Sequence, residues 1–168
     1  MNRYTVAILV RNQFGVLNRV TSMFRRRQFN IVSLTVSETE DEGFSRITAV
    51  FEGVDNTKRQ LITQLYKLPD VAAVSELDRE RAVNCELLLI KLDNAPEKRG
   101  GILEASDAFG AKVMEFSREA IILQLVGESQ IIENFIDLMR DYDILEIART
   151  GVVSLERGSA TMRSITRL

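Results

Sequence analysis

The sequence contains no histidine and a single cysteine among its 168 residues. Without histidine there is no imidazole acid–base catalysis, no Ser-His-Asp or Cys-His nucleophilic site, and no zinc site with His ligands. The lone Cys85 allows no internal disulfide and suits a reducing compartment. Set in the apolar run Cys85-Glu86-Leu87-Leu88-Leu89-Ile90, it reads as a packed strand thiol. No apolar run approaches the length of a membrane span. The start, Met1-Asn2-Arg3-Tyr4, passes into a strand pattern with neither an apolar leader core nor an Arg/Ser-rich transit segment, so a cytoplasmic protein is expected. Lys and Arg number 22 against 24 Asp and Glu, and the net charge of −2 gives no general attraction to nucleic acid or anionic membrane.

What is present is the composition of a folded globular chain, 45% hydrophobic and 27% charged, long enough for one domain or two small ones. Residues 3–11 alternate Tyr4, Val6, Ile8, Val10 against Thr5, Ala7, Leu9, a largely buried strand. Val16, Leu17, Val20, Met23 and Phe24 then fall at helical spacing, and Arg25, Arg26 and Arg27 close that helix where cations suit its dipole. Residues 31–37 put Val32, Leu34 and Val36 on one face, with Ser33, Thr35 and Ser37 on the other. Asp41-Glu42-Gly43 is a turn, and Ser45 to Glu52 a strand. A helix with Leu61, Ile62, Leu65 and Leu68 inward ends at Pro69-Asp70, and Val71 to Leu77 is the fourth strand. The order is βαββαβ.

The order recurs. A strand from about Val83 to Leu92 turns through Asn94-Ala95-Pro96 into a helix ending near Phe109. Lys112 to Phe116 and Ala120 to Val126 form a hairpin. A helix carrying Ile131, Ile132, Phe135, Ile136 and Met139 precedes a last strand from about Leu145 to Leu155. Gly101-Ile102-Leu103 stands as the counterpart of Gly15-Val16-Leu17 at the first helix start. The expected fold is α+β: two tandem ferredoxin-like βαββαβ domains, each an antiparallel sheet with helices on one face. Domain boundaries fall at 1–78, a charged linker 79–82, a second domain 83–156 and a loose or partner-dependent tail 157–168 carrying Arg157, Arg163 and Arg167. Sheets of this size pair edge to edge or face to face, so a homodimer is expected.

The chemistry concentrates in one segment, where a strand runs through Asn12-Gln13-Phe14-Gly15 into a helix and returns through Phe29-Asn30-Ile31. The first turn of a helix has free N–H groups and a partial positive charge, and can hold a small carboxylate without a charged side chain. Each residue alone has a plain structural explanation: Gly15 as a turn, Asn12 and Asn30 as caps. Together they read as a small-ligand site, completed when a sheet pairs with its copy. Glu38, Glu40, Asp41 and Glu42 fit an exposed hairpin tip better than a metal site, since no oxygen-ligand loop pattern is present. Arg25-Arg26-Arg27 fits a solvated helix end, and Lys98-Arg99-Gly100-Gly101 lacks the lysine and hydroxyl of a phosphate loop.

The segments Asn12 to Val20, Phe24 to Ile31, Ser33-Leu34-Thr35-Val36, Ser45-Arg46-Ile47-Thr48 and Glu146-Ile147-Ala148-Arg149-Thr150-Gly151 resemble the small, regulatory subunits of acetolactate synthase (acetohydroxyacid synthase). The resemblance spans nearly the whole chain. It implies that the first domain is an ACT domain sensing a branched-chain amino acid, and that the chain forms a homodimer and partners a large catalytic subunit. It implies no active site and no cofactor on this chain, with thiamine diphosphate, magnesium and FAD on the catalytic subunit. It further implies activation of that subunit and feedback inhibition by valine. Gly15, Val16 and Leu17 would offer N–H groups to the valine carboxylate, Asn12 and Asn30 would bond its polar groups, and Ile31 and Leu34 would wall its isopropyl group. A free-standing amino-acid-binding regulator of another enzyme or a transporter is the alternative, against which Glu146 to Gly151 argues. Ser37 and Gln28 stand where the family often has glycine. Gly100-Gly101 interrupts a helix that the family usually continues, at about 1 kcal/mol each, so a late start or a kink is expected there.

Overall fold

The computed structural model describes residues 2–164. Two compact units emerge: Met1–Val83 together with Val152–Leu168, and Asn84–Gly151. The division therefore falls within a strand at residue 83, not in the charged 79–82 segment, and the C-terminal residues belong to the first unit. Arg167 lies outside the described residues.

In the first unit β1 (Asn2–Arg11), α1 (Val16–Arg26), β2 (Asn30–Glu38), β3 (Phe44–Gly53), α2 (Asp55–Leu65) and β4 (Val71–Leu77) follow the expected order. The antiparallel sheet runs β2-β3-β1-β4, leaving β2 at one edge. One face packs Val6, Ile8, Val10, Ile47, Ala49 and Phe51 against Val16, Val20, Met23 and Phe24 of α1 and Leu61 and Leu65 of α2. Phe24 meets both Phe29 and Phe51 edge-on, with ring centroids 6.1 and 6.4 Å apart. Such pairs add roughly 0.5–1.5 kcal/mol beyond area burial.

The helix-free face is also dry. Ala7, Leu9, Thr48, Val50, Ala73 and Leu77 on it are all buried. Part of that cover is the C-terminal segment, expected to be loose beyond residue 157. There β9 (Val153–Glu156) and a short 3-10 helix, Met162–Ser164, lie against β4. Met162 packs on Ala7, Leu77 and Ala82, and the Arg46 Nη2 donates to the Ser154 carbonyl at 2.7 Å. An apolar sheet face needs a cover, and this chain supplies some of it from its own end.

The second unit contains β5 (Ala82–Asp93, which begins in the first unit), α3 (Pro96–Phe109), β6 (Lys112–Phe116), β7 (Ala120–Gly127), α4 (Ser129–Met139) and β8 (Ile144–Arg149). Its sheet runs β6-β7-β5-β8. Leu88, Ile90, Leu92, Ile121, Leu123 and Leu125 face Ile102 of α3 and Ile132, Phe135 and Met139 of α4. Cys85 is half-buried. The single last strand expected over 145–155 is two strands, because the chain turns at Gly151, whose φ of 76° suits glycine. Thr150 holds that turn: its N–H donates to the Leu87 carbonyl at 3.1 Å, and its hydroxyl accepts the Leu87 N–H at 3.1 Å.

Two helix expectations need correction. Helix α3 neither starts late nor matches Gly15 with Gly101; it begins at Pro96, whose missing N–H costs nothing at that position. Gly101 lies in its interior because a Cβ there would stand 2.5 Å from the Tyr142 Oη, whereas Gly100 faces open space.

Candidate functional site

The start of α1 is built by local geometry. Gly15 is the N-cap with φ 79° and ψ −3°, a left-handed conformation that glycine adopts without strain, and no side chain caps the helix. The first turn carries no acid. The Val16 N–H is taken by the Gln13 carbonyl at 3.3 Å, which leaves the Gly15 and Leu17 N–H groups without a partner among the described residues and open to a ligand. Val16 itself is a core side chain, while Leu17 is 42% exposed and Phe14 fully so. Arg19, which periodicity alone places on the outer side of the helix, reaches back so that its Nη1 lies 3.4 Å from where a Gly15 Cβ would stand. Its Nε is anchored on the Asp70 Oδ2 at 2.7 Å. A helix N-terminus and a guanidinium thus converge on one exposed spot, the arrangement that favours a carboxylate.

Asn12 borders this spot. Its backbone N–H donates to the Gly43 carbonyl at 2.9 Å. Its side-chain Nδ2 donates to the Glu42 carbonyl and to the Glu38 Oε1, each at 3.2 Å. Glu38 and Arg19 are the neighbours that sequence reasoning missed. Glu38 lies 26 residues from Asn12, and no local pattern signals such a contact.

Asn30 is elsewhere. It opens β2 opposite Glu52, whose Oε2 accepts from its Nδ2 at 3.4 Å, whereas Asn12 stands beside Gly43 at the other end of β3. Nine residues of strand separate those positions, roughly 30 Å at about 3.3 Å per residue. One chain therefore gathers Asn12, Gly15, Val16 and Leu17 at one end of the sheet, with Asn30 and Ile31 at the other. A bulge between Ile31 and Ser33 shifts the register, so that Ile31 opposite Phe51 and Leu34 opposite Ala49 both turn to the core, where they are partly buried. Strict alternation puts those two on opposite faces.

The second unit repeats the frame with different contents. Asn94 follows β5 as Asn12 follows β1, and its N–H donates to the Glu119 carbonyl at 3.1 Å. Its Nδ2 donates to the Ser117 carbonyl, and its Oδ1 accepts from the Arg99 Nε at 2.8 Å. Arg99 also lies over the Phe116 ring, 5.5 Å from its centroid. Asn94 is only 2% exposed. The Glu146 to Gly151 segment anchors the ion pair of buried Glu86 here. Arg149 donates from Nε to the Glu86 Oε1 at 2.6 Å and from Nη1 to the Glu133 Oε1 at 2.7 Å. Hydrogen bonding to Glu86 raises the Arg149 pKa above its ordinary value.

Among the described residues no group of three His, Cys, Asp or Glu side chains is placed to hold a metal ion, and no helix is long and apolar enough to cross a membrane.

Comparison with known proteins sets these observations in a family. The family profile for the AHAS small subunit-like ACT domain matches residues 6–73, and that for the small subunit of acetolactate synthase matches residues 85–158. A probable acetolactate synthase small subunit of Archaeoglobus fulgidus is 47% identical over 157 residues, covering 94% of this chain and 98% of the relative. The acetolactate synthase small subunit of Bacillus subtilis is 44% identical over 156 residues, covering 92% and 90%. The crystal structure of the Thermotoga maritima small subunit superimposes with a TM-score of 0.89 at 36% identity, covering 95% of this chain and 100% of that one. With an ACT domain, a matching second domain and this fold across nearly its whole length, the chain belongs to the acetolactate synthase small-subunit family.

Proposed function

We propose that this chain activates the thiamine diphosphate-dependent catalytic subunit of acetolactate synthase and makes it sensitive to feedback inhibition by valine. The observation that carries this reading is the uncapped helix start at Gly15, flanked by Arg19 and Asn12. It suits the carboxylate of an amino acid, and the Gly15 and Leu17 N–H groups are its donors. Thiamine diphosphate, magnesium and FAD belong to the catalytic subunit in this reading, and the chain works in the cytoplasm with no active site of its own.

The effector binds between two copies. β2 is an edge strand, and antiparallel pairing of two β2 strands about a two-fold axis is the simplest way to satisfy both edges. That pairing lays the Asn30 end of one copy beside the Glu38 end of the other, where Asn12 stands. Two asparagines roughly 30 Å apart in one chain then face the same helix start across the dimer. Leucine and isoleucine compete for the same pocket, since one methylene changes binding by only about 1–3 kcal/mol.

Reconstitution tests the proposal. The chain alone, given thiamine diphosphate and magnesium, forms no acetolactate. Added to the catalytic subunit it raises the rate, and valine then lowers it. A rate indifferent to valine, with calorimetry showing no valine binding to the dimer, overturns the effector reading.

A further inference from the structure

The β2–β3 hairpin is gripped from two sides. On one side Asn12 holds it through the Gly43 and Glu42 carbonyls and the Glu38 carboxylate. On the other, Arg163 of the C-terminal segment reaches it, with Nε 3.2 Å from the Glu40 Oε1 and Nη2 2.9 Å from the Asp41 Oδ2. The hairpin between these grips is cross-linked by its own hydrogen bonds. The Thr39 N–H donates to the Phe44 carbonyl, the Phe44 N–H to Asp41, and the Gly43 N–H to the Asp41 Oδ1. A shift at Asn12 therefore moves the partners of Arg163 as one body.

The C-terminal segment is seated to respond. A half-open groove of about 500 Å³ runs beside it, lined by Leu9, Glu38, Arg46, Leu77, Leu155 and Met162 among others. Arg46 spans this space to the Ser154 carbonyl, its Nε is buried without a partner, and burial lowers its pKa. The seat thus rests on half-exposed ion pairs, one methionine and one half-buried guanidinium beside a groove. Exposed ion pairs hold weakly.

We propose that the hairpin of residues 38–43 transmits effector occupancy from Asn12 to the C-terminal segment of residues 153–164, which is the part of the first unit that changes position when valine binds. This rests on the effector reading of Asn12. An amino acid that engages the Asn12 amide competes with Glu42 and Glu38 for it and loosens the first grip. Arg163 holds the hairpin in the arrangement that the effector must disturb, so the second grip opposes binding. Coupling of this kind is reciprocal: what the effector does to the segment, the segment does to the affinity for the effector.

The test uses the full chain with Cys85→Ser and Ser159→Cys, the new thiol carrying an environment-sensitive fluorophore, with valine as the probe ligand. Calorimetry and fluorescence are read on the same samples, with and without Arg163→Ala. Fluorescence is expected to change with the calorimetric midpoint in the parent. Arg163→Ala is expected to bind valine on the order of fivefold more tightly and to lose the fluorescence change. A silent fluorophore beside calorimetric binding, a fluorescence change that survives Arg163→Ala, or an affinity unchanged within about twofold overturns the transmission while leaving the effector site standing. No calorimetric binding in the parent ends both readings.

Discussion

The two units place an asparagine at the same point, after their first strand, and treat it in opposite ways. Asn12 is exposed, beside a helix that begins at a left-handed glycine with unused N–H groups. Asn94 is buried, its amide filled by Ser117 and Arg99, beside a helix that begins at Pro96 with one N–H fewer. The first arrangement leaves polar groups for a ligand; the second satisfies them from within, as buried polar groups demand. One frame thus yields a candidate sensor and a closed scaffold. The difference lies in a few residues at each helix start rather than in topology.

Gly15→Asp is the sharpest way to break this contrast. The new carboxylate takes the N–H groups as an N-cap and repels the effector's own. Valine binding should fall by about 100-fold or more, matching loss of two or more charge-assisted hydrogen bonds. Circular dichroism should still show the folded chain, with stability lowered by about 1–2 kcal/mol because a side chain is held at this left-handed φ. Retained affinity would falsify the site assignment.

Arg149→Met strikes the second unit alone. It leaves Glu86, only 4% exposed, buried without its cation. Breaking such a pair costs about 3–5 kcal/mol, and because Arg149 is partly exposed the lower end is expected. Denaturant unfolding should show that loss while valine affinity of the folded protein stays the same. A matching loss of affinity would tie the sensor to the scaffold and weaken the division between them.

Adjacent glycines in α3 separate packing from propensity. Gly101→Ala drives a methyl into Tyr142 and should destabilise by about 1–3 kcal/mol. Gly100→Ala meets nothing and should stabilise by about 0.5–1 kcal/mol. Thermal unfolding of both variants decides; equal effects would refute the Tyr142 explanation.

The smallest effect concerns the turn after the first helix of each unit. Gly110 has φ 68° after α3, and Gln28 has φ 56° after α1. A non-glycine residue held there pays roughly 1–2 kcal/mol, partly offset by the entropy that glycine loses on folding. Gln28→Gly should therefore raise stability by about 0.5–1 kcal/mol, read from the urea midpoint, with valine binding intact.

The sequence by itself determined the two βαββαβ units. Their elements rest on short-range causes: period-two alternation in residues 3–11, helical spacing from Val16 to Phe24, and turns at Asp41-Glu42-Gly43 and Pro69-Asp70. It also placed Asn12 and Gly15 together, since only two residues of chain separate them. The tertiary structure decided everything carried by long-range contact. It brought Glu38 to Asn12 and Arg19 to Gly15, and set Asn30 at the far end of the sheet. It turned Ile31 inward through a bulge, explained Gly101 by Tyr142, and returned residues 153–164 to the first sheet. Such contacts join residues that no periodicity relates, because they are chosen by which surfaces remain unburied after the local elements have formed.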